Sequence, residues 1–268
     1  MTTFNTTGVV NQSITRTGTN EPFELQVSRG QIAFHSTAFI NGTFTALGTA
    51  QATVWESGGM YVYPATAQVM EVSSSSANDT SAGTGARTVT IQGLDAGYNQ
   101  IQETVILNGQ TAVNTVNSYL RIAHLFVATA GTGLAAAGTI YVGTGTVTTG
   151  VPAVIYWSYT ALNGSTPCIW TVPNGYTAYI TSIETSSGNA TANQWTKFSL
   201  FARPALDAPF DSNLQWICSN GGDVAFTCQY PLSYASQTDI EIRAASTVAS
   251  TSVAANFQVV YIKNEGAL

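Results

Sequence analysis

Charged side chains are scarce in this chain. Only 8% of its 268 residues are Asp, Glu, Lys or Arg, whereas an average soluble domain has about 25%. The formal net charge is −6, and the eight cationic residues are scattered singly. Because nucleic-acid binding needs clustered Lys and Arg, we expect no direct contact with nucleic acid. A surface of Thr, Ser, Asn and Gln instead indicates a protein that contacts other proteins, itself included.

Histidine and cysteine are also few. The two histidines, His35 and His124, each lie in a predicted strand directly after an apolar residue, which favours a structural role over a catalytic one. Nucleophilic catalysis needs a base beside the nucleophile, and no such pair stands out in the sequence. The three cysteines cannot pair completely and have no C-x-x-C spacing, so we expect buried free thiols: Cys168, Cys218 and Cys228.

Two further patterns resemble catalytic motifs without completing them. Asp79-Thr80-Ser81 resembles the active-site turn of aspartic proteases, but it occurs once and has Ser81 where those enzymes have glycine. The Gly-Thr-Gly clusters lack the spacing and the lysine of phosphate-binding loops, and we interpret them as turns. The sequence therefore predicts no enzyme, no catalytic residue, no metal site and no cofactor.

The first residues have neither a basic segment nor an apolar segment, so we expect no signal peptide. Residues 1–20 have few apolar anchors and predict an extended N-terminal arm. The run Leu125–Val142 is long enough to span a membrane, but Thr129–Gly133 and Gly138 interrupt it. We interpret this run as two strands and a turn, with no membrane contact.

Alternation with a period of two residues, which is typical of β-strands, recurs along the chain. In Asp239–Ala244 it predicts an inner face of Ile240, Ile242 and Ala244 and an outer face of Asp239, Glu241 and Arg243. Further predicted strands are Gln31–Ile40, Ala52–Glu56, Tyr61–Tyr63, Gln68–Ser73, Arg87–Gly93, Ser118–Ala128, Ala137–Val142, Ala153–Tyr159, Ile169–Val172, Tyr176–Glu184, Lys197–Ala202, Asp223–Cys228 and Asn256–Lys263. Turn signals such as Asn41-Gly42 separate them. The pattern predicts an all-β protein of the sandwich or barrel type.

The segment Thr88–Gly109 contains two strand-like runs joined by the loop Gly93–Asn99, and it ends on Asn108-Gly109. Asn-Gly is the strongest short signal for a type I′ hairpin turn, in which both residues have positive φ. In the longer loop we expect the carboxylate of Asp95 to cap the turn.

The clearest change in composition is Gly143–Pro152, which is small, polar and ends in proline. A domain boundary there divides the chain into an arm (1–20), a first β-sandwich (21–146) and a second β-sandwich (147–268), both resembling jelly rolls.

Aromatic residues favour one alternative function. Stacking on a sugar ring needs an exposed aromatic side chain near polar groups, and the chain has 12 tyrosines and five tryptophans: Trp55, Trp157, Trp170, Trp195 and Trp216. Aromatic residues of β proteins more often lie in a core or an interface. A receptor- or glycan-binding module, with a host-surface glycan as ligand, stays open as the alternative.

Three segments are similar to virion structural proteins of tailed bacteriophages, many of them marine. They are GLDAGYNQIQETVILNGQTAV with the later YLRI (Gly93–Ile122), VPNGYTAYI (Val172–Ile180) and IEIRAAS (Ile240–Ser246). The resemblance covers a few dozen residues and none of the first 86. It implies a non-enzymatic structural protein located in the virion and made in the host cytoplasm.

Composition and resemblance together predict a protein that self-associates as a homo-oligomer and docks on other capsid or tail proteins. Capsid decoration or cementing is the favoured role. The alternatives are a tail or fibre component and a capsid shell protein with two tandem jelly rolls.

Overall fold

The computed structural model describes residues 21–160, 167–188, 193–204 and 206–264. The predicted arm, residues 1–20, lies outside them. The described residues form a helix, α1 (Phe23–Ser28), and sixteen strands. All pairings between strands are antiparallel: β1 (His35–Leu47), β2 (Ala52–Thr53), β3 (Gln68–Ser74), β4 (Ala86–Leu94), β5 (Gln100–Ile106), β6 (Val113–Tyr119), β7 (Arg121–Ala130), β8 (Thr139–Thr144), β9 (Val154–Thr160), β10 (Ile169–Thr171), β11 (Tyr176–Ser187), β12 (Trp195–Arg203), β13 (Asp211–Ser219), β14 (Asp223–Tyr234), β15 (Asp239–Ser246) and β16 (Thr251–Lys263). The predicted all-β class is confirmed.

One sandwich has the strand order of a jelly roll. Its two sheets are β1-β16-β11-β14 and β10-β15-β12-β13, and β2 also pairs with β15. Because β2 and β10 pair with successive parts of β15, they occupy one strand position between them. With that position counted once, eight strands in chain order form sheets 1-8-3-6 and 2-7-4-5, which is the jelly-roll arrangement. Buried Leu47, Ile180, Phe198 and Phe257 lie in the core between these sheets.

The second sandwich has seven strands. Its sheets are β6-β3-β8-β9 and β5-β4-β7. Their inner faces pack around buried Met70, Ile91, Leu125 and Trp157. All seven strands come between β2 and β10 in the sequence, so this sandwich is inserted into the jelly roll at the strand position that β2 and β10 share. We call it the inserted sandwich, residues 55–160.

The two sandwiches are therefore not consecutive in the chain. β1 pairs with β16 from His35 to Leu47, and β9 pairs with β8 from Val154 to Thr160. Both pairings join strands from opposite sides of the predicted division at residues 146 and 147. The predicted boundary claims that the segments on its two sides fold independently, and that claim stays a prediction. The pairings instead divide the chain into two structural units, the inserted sandwich and the jelly roll.

Local turn signals are overridden where a neighbouring strand offers continuous pairing. The sequence predicts a turn at Asn41-Gly42, but both residues lie inside β1, opposite Asn256 and Ala255 of β16. Tyr61–Tyr63 is not a strand, and the alternation rules missed β13 (Asp211–Ser219). The run Leu125–Val142 does form parts of two strands, β7 and β8, with turns between them. In the described residues no helix has the length and apolar character needed to cross a membrane.

The predicted type I′ hairpin at Asn108-Gly109 is wrong. Gly109 has a φ of 60°, but Asn108 is not among the residues with positive φ. The turn runs from Asn108 to Thr111, whose backbone N–H donates to the carbonyl of Asn108 at 3.1 Å. Gly109 is thus the second residue of the turn, the position at which a type II′ turn needs positive φ. The strands on either side, β5 and β6, belong to different sheets, so this turn connects the two sheets.

We expect Gly109→Val to reduce the free energy of unfolding by about 1–3 kcal/mol, because a β-branched residue resists positive φ. A Cβ at this position would also lie 3.1 Å from the Cα of Ala77. The control is Gly48→Val, because a Cβ at Gly48 meets nothing within 4 Å and its φ is not positive. Urea denaturation of both variants measures the difference, and equal stabilities would contradict the turn geometry.

Candidate functional site

The two histidines lie on different strands, His35 on β1 and His124 on β7. Nδ1 of His35 lies 2.8 Å from the carbonyl oxygen of Ala33, and its ring meets Phe23 edge-on. His124 lies on β7 beside Phe126. In the described ranges, no three His, Cys, Asp or Glu side chains are grouped so that they could hold a metal ion.

Asp79, which stands in the protease-like turn, is a buried acceptor. Its carboxylate accepts hydrogen bonds from the backbone N–H groups of Ala86, Ala137 and Gly138 at 2.7–2.9 Å and from the hydroxyl of Ser74 at 2.6 Å. Four donors satisfy this charge and connect three segments of the inserted sandwich. The residue therefore holds loops together, and no second carboxylate shares its site among these contacts.

One smaller expectation is confirmed, and a second is confirmed except for the burial of Cys228. The carboxylate of Asp95 accepts hydrogen bonds from the backbone N–H groups of Gly97 and Asn99 at 2.8 and 2.9 Å, as expected of a turn cap. The three cysteines are free thiols, of which Cys168 and Cys218 are buried and Cys228 is half-buried. Burial raises the pKa of each thiol, which favours its protonated form.

The densest group of charged side chains in the described residues lies where the two sandwiches meet. Arg121 at the start of β7 forms a bidentate ion pair with Asp239 at the start of β15: Nε and Nη2 each donate to one carboxylate oxygen at 2.8 Å. The Nη1 atom donates to the backbone carbonyls of Pro64 and Leu120 at 2.9 and 2.7 Å. Arg121 is 2% exposed and Asp239 1% exposed. The inserted sandwich and the jelly roll are thus joined by a buried ion pair with nearly all its hydrogen-bonding groups used.

Asp239 accepts two more partners from the jelly roll. Nη2 of Arg203 donates to Oδ2 at 2.6 Å, and the hydroxyl of Thr171 donates to Oδ1 at 2.6 Å. Burial lowers the pKa of Arg121, but the hydrogen bonds and the charge of Asp239 raise it by more. One carboxylate therefore holds β7, β10, β12 and β15 together.

A second buried acid continues the network along β15. Glu241 is fully buried. It pairs with Arg243, whose Nε atom donates a hydrogen bond to Oε1 at 2.6 Å. It also accepts a hydrogen bond from the hydroxyl of Thr53 at 2.9 Å. Burial raises the pKa of Glu241, and the charge of Arg243 opposes that rise. We call the set Thr53, Arg121, Thr171, Arg203, Asp239, Glu241 and Arg243 the junction cluster.

Aromatic rings cover the cations of this cluster. The guanidinium carbons of Arg121 and Arg203 lie 4.9 and 4.8 Å from the ring centroid of Tyr63. Those of Arg203 and Arg243 each lie 4.7 Å from the ring centroid of Phe210. At these distances the rings attract the cations.

The sequence placed the charged residues of β15 on the correct face of the sheet but did not show that this face is covered. Alternation in Asp239–Ala244 predicted Ile240, Ile242 and Ala244 on the inner face, as observed, but on the outer face Asp239 and Glu241 are buried and Arg243 is half-buried. The reason is that β15 lies between its own core on one side and the inserted sandwich on the other. One sequence signal could have indicated the junction cluster. Acids alternate strictly with apolar residues in β15, although charged residues are rare in this chain.

Three segments singled out in the sequence, Gly93–Ile122, Val172–Ile180 and Ile240–Ser246, meet at this junction. Arg121 lies at the end of the first segment, and the third begins one residue after Asp239. In the second segment, Asn174 donates its backbone N–H to the carbonyl of Tyr98 at 2.9 Å. These segments therefore contribute to the contact between the sandwiches.

A groove with a volume of about 590 Å³ lies on the outside of the same contact. One wall comes from the inserted sandwich, with side chains of β4, β5 and β7. The other comes from the jelly roll, with β1, β10 and Tyr261 of β16. The groove is lined by Thr37, Ala38, Phe39, Ile40, Gln92, Gly93, Leu94, Gln100, Ile101, Gln102, Ala123, His124, Trp170, Thr171, Pro173 and Tyr261.

Comparison with known proteins gives only distant similarity. Neither a protein-family model nor a curated protein sequence matches the chain. Among solved structures, the naturally occurring empty particles of cowpea mosaic virus share 7% identity over 76% of this chain and 84% of that chain, with a TM-score of 0.20. The VP2 subviral particle of infectious bursal disease virus shares 9% identity over 88% and 74%, with a TM-score of 0.24. These structural neighbours are viral capsid proteins, and scores this low give no argument about function.

We expect Arg121→Met to reduce the free energy of unfolding by about 3–5 kcal/mol, because it leaves a buried carboxylate with one ion-pair partner fewer. The control is Arg29→Met, which removes a cation from the exposed ion pair with Glu21. A surface pair contributes about 0–1 kcal/mol. Guanidinium denaturation compares the two variants with the unsubstituted protein. A loss below about 1 kcal/mol for Arg121→Met would contradict the structural importance of the junction cluster.

Proposed function

We propose that this chain is a non-enzymatic virion structural protein that self-associates and docks on other capsid or tail proteins. The observation that carries the proposal is a surface poor in charge and rich in exposed apolar side chains. Val116, Leu134 and Tyr230 are 85–90% exposed. Other large apolar residues with more than half their surface exposed are Phe34, Phe39, Val62, Ile106 and Ile217.

The junction cluster makes the surface still less charged than the composition indicates. Of eight Lys and Arg residues, Arg121, Arg203 and Arg243 are used inside it. Asp239 and Glu241 are buried with them, and Asp79 is buried elsewhere. Free monomers normally carry many charges of both signs to stay apart in solution. A surface with so few charges supports contact with other copies or other proteins.

The architecture supports the same class of function. Jelly rolls occur in viral capsid proteins and lectins, and closing a sandwich in this way leaves the strand ends and sheet faces for contacts. A shell protein with two tandem jelly rolls is less well supported, because the second sandwich is inserted within the first and has seven strands in a different order. The phage-like segments favour tailed bacteriophages, and within such a virion we favour capsid decoration or cementing over a tail or fibre position.

We expect the purified protein to form a homo-oligomer at micromolar concentration whose mass hardly changes between about 0.05 and about 1 M salt, because few ion pairs are available for association. Multi-angle light scattering measures the mass. The test variants each place a lysine at an exposed apolar position: Val116→Lys, Leu134→Lys and Tyr230→Lys. At least one of them should weaken association about fivefold or more, because a lysine in the contact would be buried as an unpaired charge.

The matched control is Thr227→Lys, which adds the same charge at an exposed polar position of β14. A monomer in the absence of virion partners would contradict self-association. Dissociation by salt would contradict the apolar mechanism. In particles, hundreds of copies per virion would agree with decoration, whereas about a dozen would indicate a tail component.

A further inference from the structure

The groove between the sandwiches has two chemically different walls. On the inserted sandwich, the register places Gln102, Gln92 and His124 side by side across β5, β4 and β7. The Nε2 atom of Gln92 donates to Oε1 of Gln102 at 3.2 Å, which holds the two amides together at the surface. Both glutamines are exposed, so their remaining donors and acceptors are open to a ligand.

The opposite wall is aromatic. The rings of Trp170 and Tyr261 lie 5.4 Å apart, and Tyr176 supports Tyr261 from the other side at 5.3 Å. Trp170 and Tyr261 are partly buried against the core of the jelly roll, so their positions are set by packing. A fixed aromatic surface opposite a row of amides suits a ligand with apolar faces and hydroxyl edges.

The groove holds no charge that would select a charged ligand. None of its sixteen lining residues is Asp, Glu, Lys or Arg. Its histidine does not change this at neutral pH, because partial burial lowers the pKa of His124. An acidic sugar, a phosphate or a charged peptide would find no counter-ion there. The volume lies within the range of small-molecule sites, about 300–1,000 Å³, and such sites are common between domains.

We propose that this groove binds a neutral oligosaccharide, which stacks on Trp170 and Tyr261 and forms hydrogen bonds with Gln92 and Gln102. The proposal is independent of the virion role: it rests on the chemistry of the two walls, and it assigns a place and a ligand class to glycan binding.

The test uses the intact protein on an array of immobilised neutral, sialylated and sulfated glycans, followed by titration calorimetry with the strongest neutral oligosaccharide. We expect binding to neutral glycans only. The double variant Gln92→Ala/Gln102→Ala should weaken it at least about tenfold, because each amide contributes hydrogen bonds to the bound sugar. The matched control is Gln229→Ala, an exposed glutamine on β14 outside the groove, which should bind as the unsubstituted protein does.

Both glutamines are exposed on the sheet, so their removal should leave the melting temperature unchanged, and this is checked for each variant. Chemical shift changes at the indole N–H of Trp170 on adding the neutral oligosaccharide would support the stacking. Absence of binding to every neutral glycan would overturn the proposal. So would preferential binding of charged glycans, binding that survives the double variant, or displacement of the oligosaccharide by a short uncharged peptide with higher affinity.

Discussion

The ion pairs of Asp239 with Arg121 and Arg203 determine how the two sandwiches of this protein meet. A buried carboxylate without partners costs several kcal/mol, so the side chains that satisfy it must all be in place together. Those partners come from β10 and β12, which belong to the same sheet as Asp239, and from β7, which belongs to the other sandwich. Folding of the inserted sandwich and of the jelly roll is thereby coupled at a single residue.

The same network lowers the number of charged side chains on the outer surface. Buried ion pairs contribute little net stability compared with apolar packing, but they discriminate strongly against arrangements that leave a charge unpaired. In this chain they use three of the eight cationic residues and leave Thr, Ser, Asn, Gln and exposed apolar side chains outside. Placing these charged residues in the junction cluster therefore does two things: it specifies how the sandwiches meet, and it leaves fewer charges on the surface.

Sequence reasoning succeeded where local physics decides the outcome. Period-two alternation and turn residues identified the all-β class and most strands, and Asp95 caps its loop as the side-chain chemistry implies. It failed where distant parts of the chain decide. The turn signal Asn41-Gly42 predicts the end of β1, but pairing with β16, more than 200 residues later in the chain, continues the strand to Leu47.

The junction cluster was missed for the same kind of reason. The acids of β15 look solvent-exposed when that strand is considered alone, and only the insertion between β2 and β10 covers them. The groove could not be predicted either, because its walls come from strands that meet only after both sandwiches have formed. Its aromatic residues were visible in the sequence, but not their placement opposite Gln92 and Gln102.

Native-state hydrogen exchange tests most directly whether the junction cluster couples the two sandwiches. In the unsubstituted protein, the slowest amides of β4 and β7 should open with the same free energy as those of β12 and β15, because both cores unfold in one cooperative step. In Asp239→Asn the two groups should separate, with one sandwich opening at a lower free energy than the other. Two clearly different opening free energies in the unsubstituted protein, unchanged by Asp239→Asn, would contradict the account.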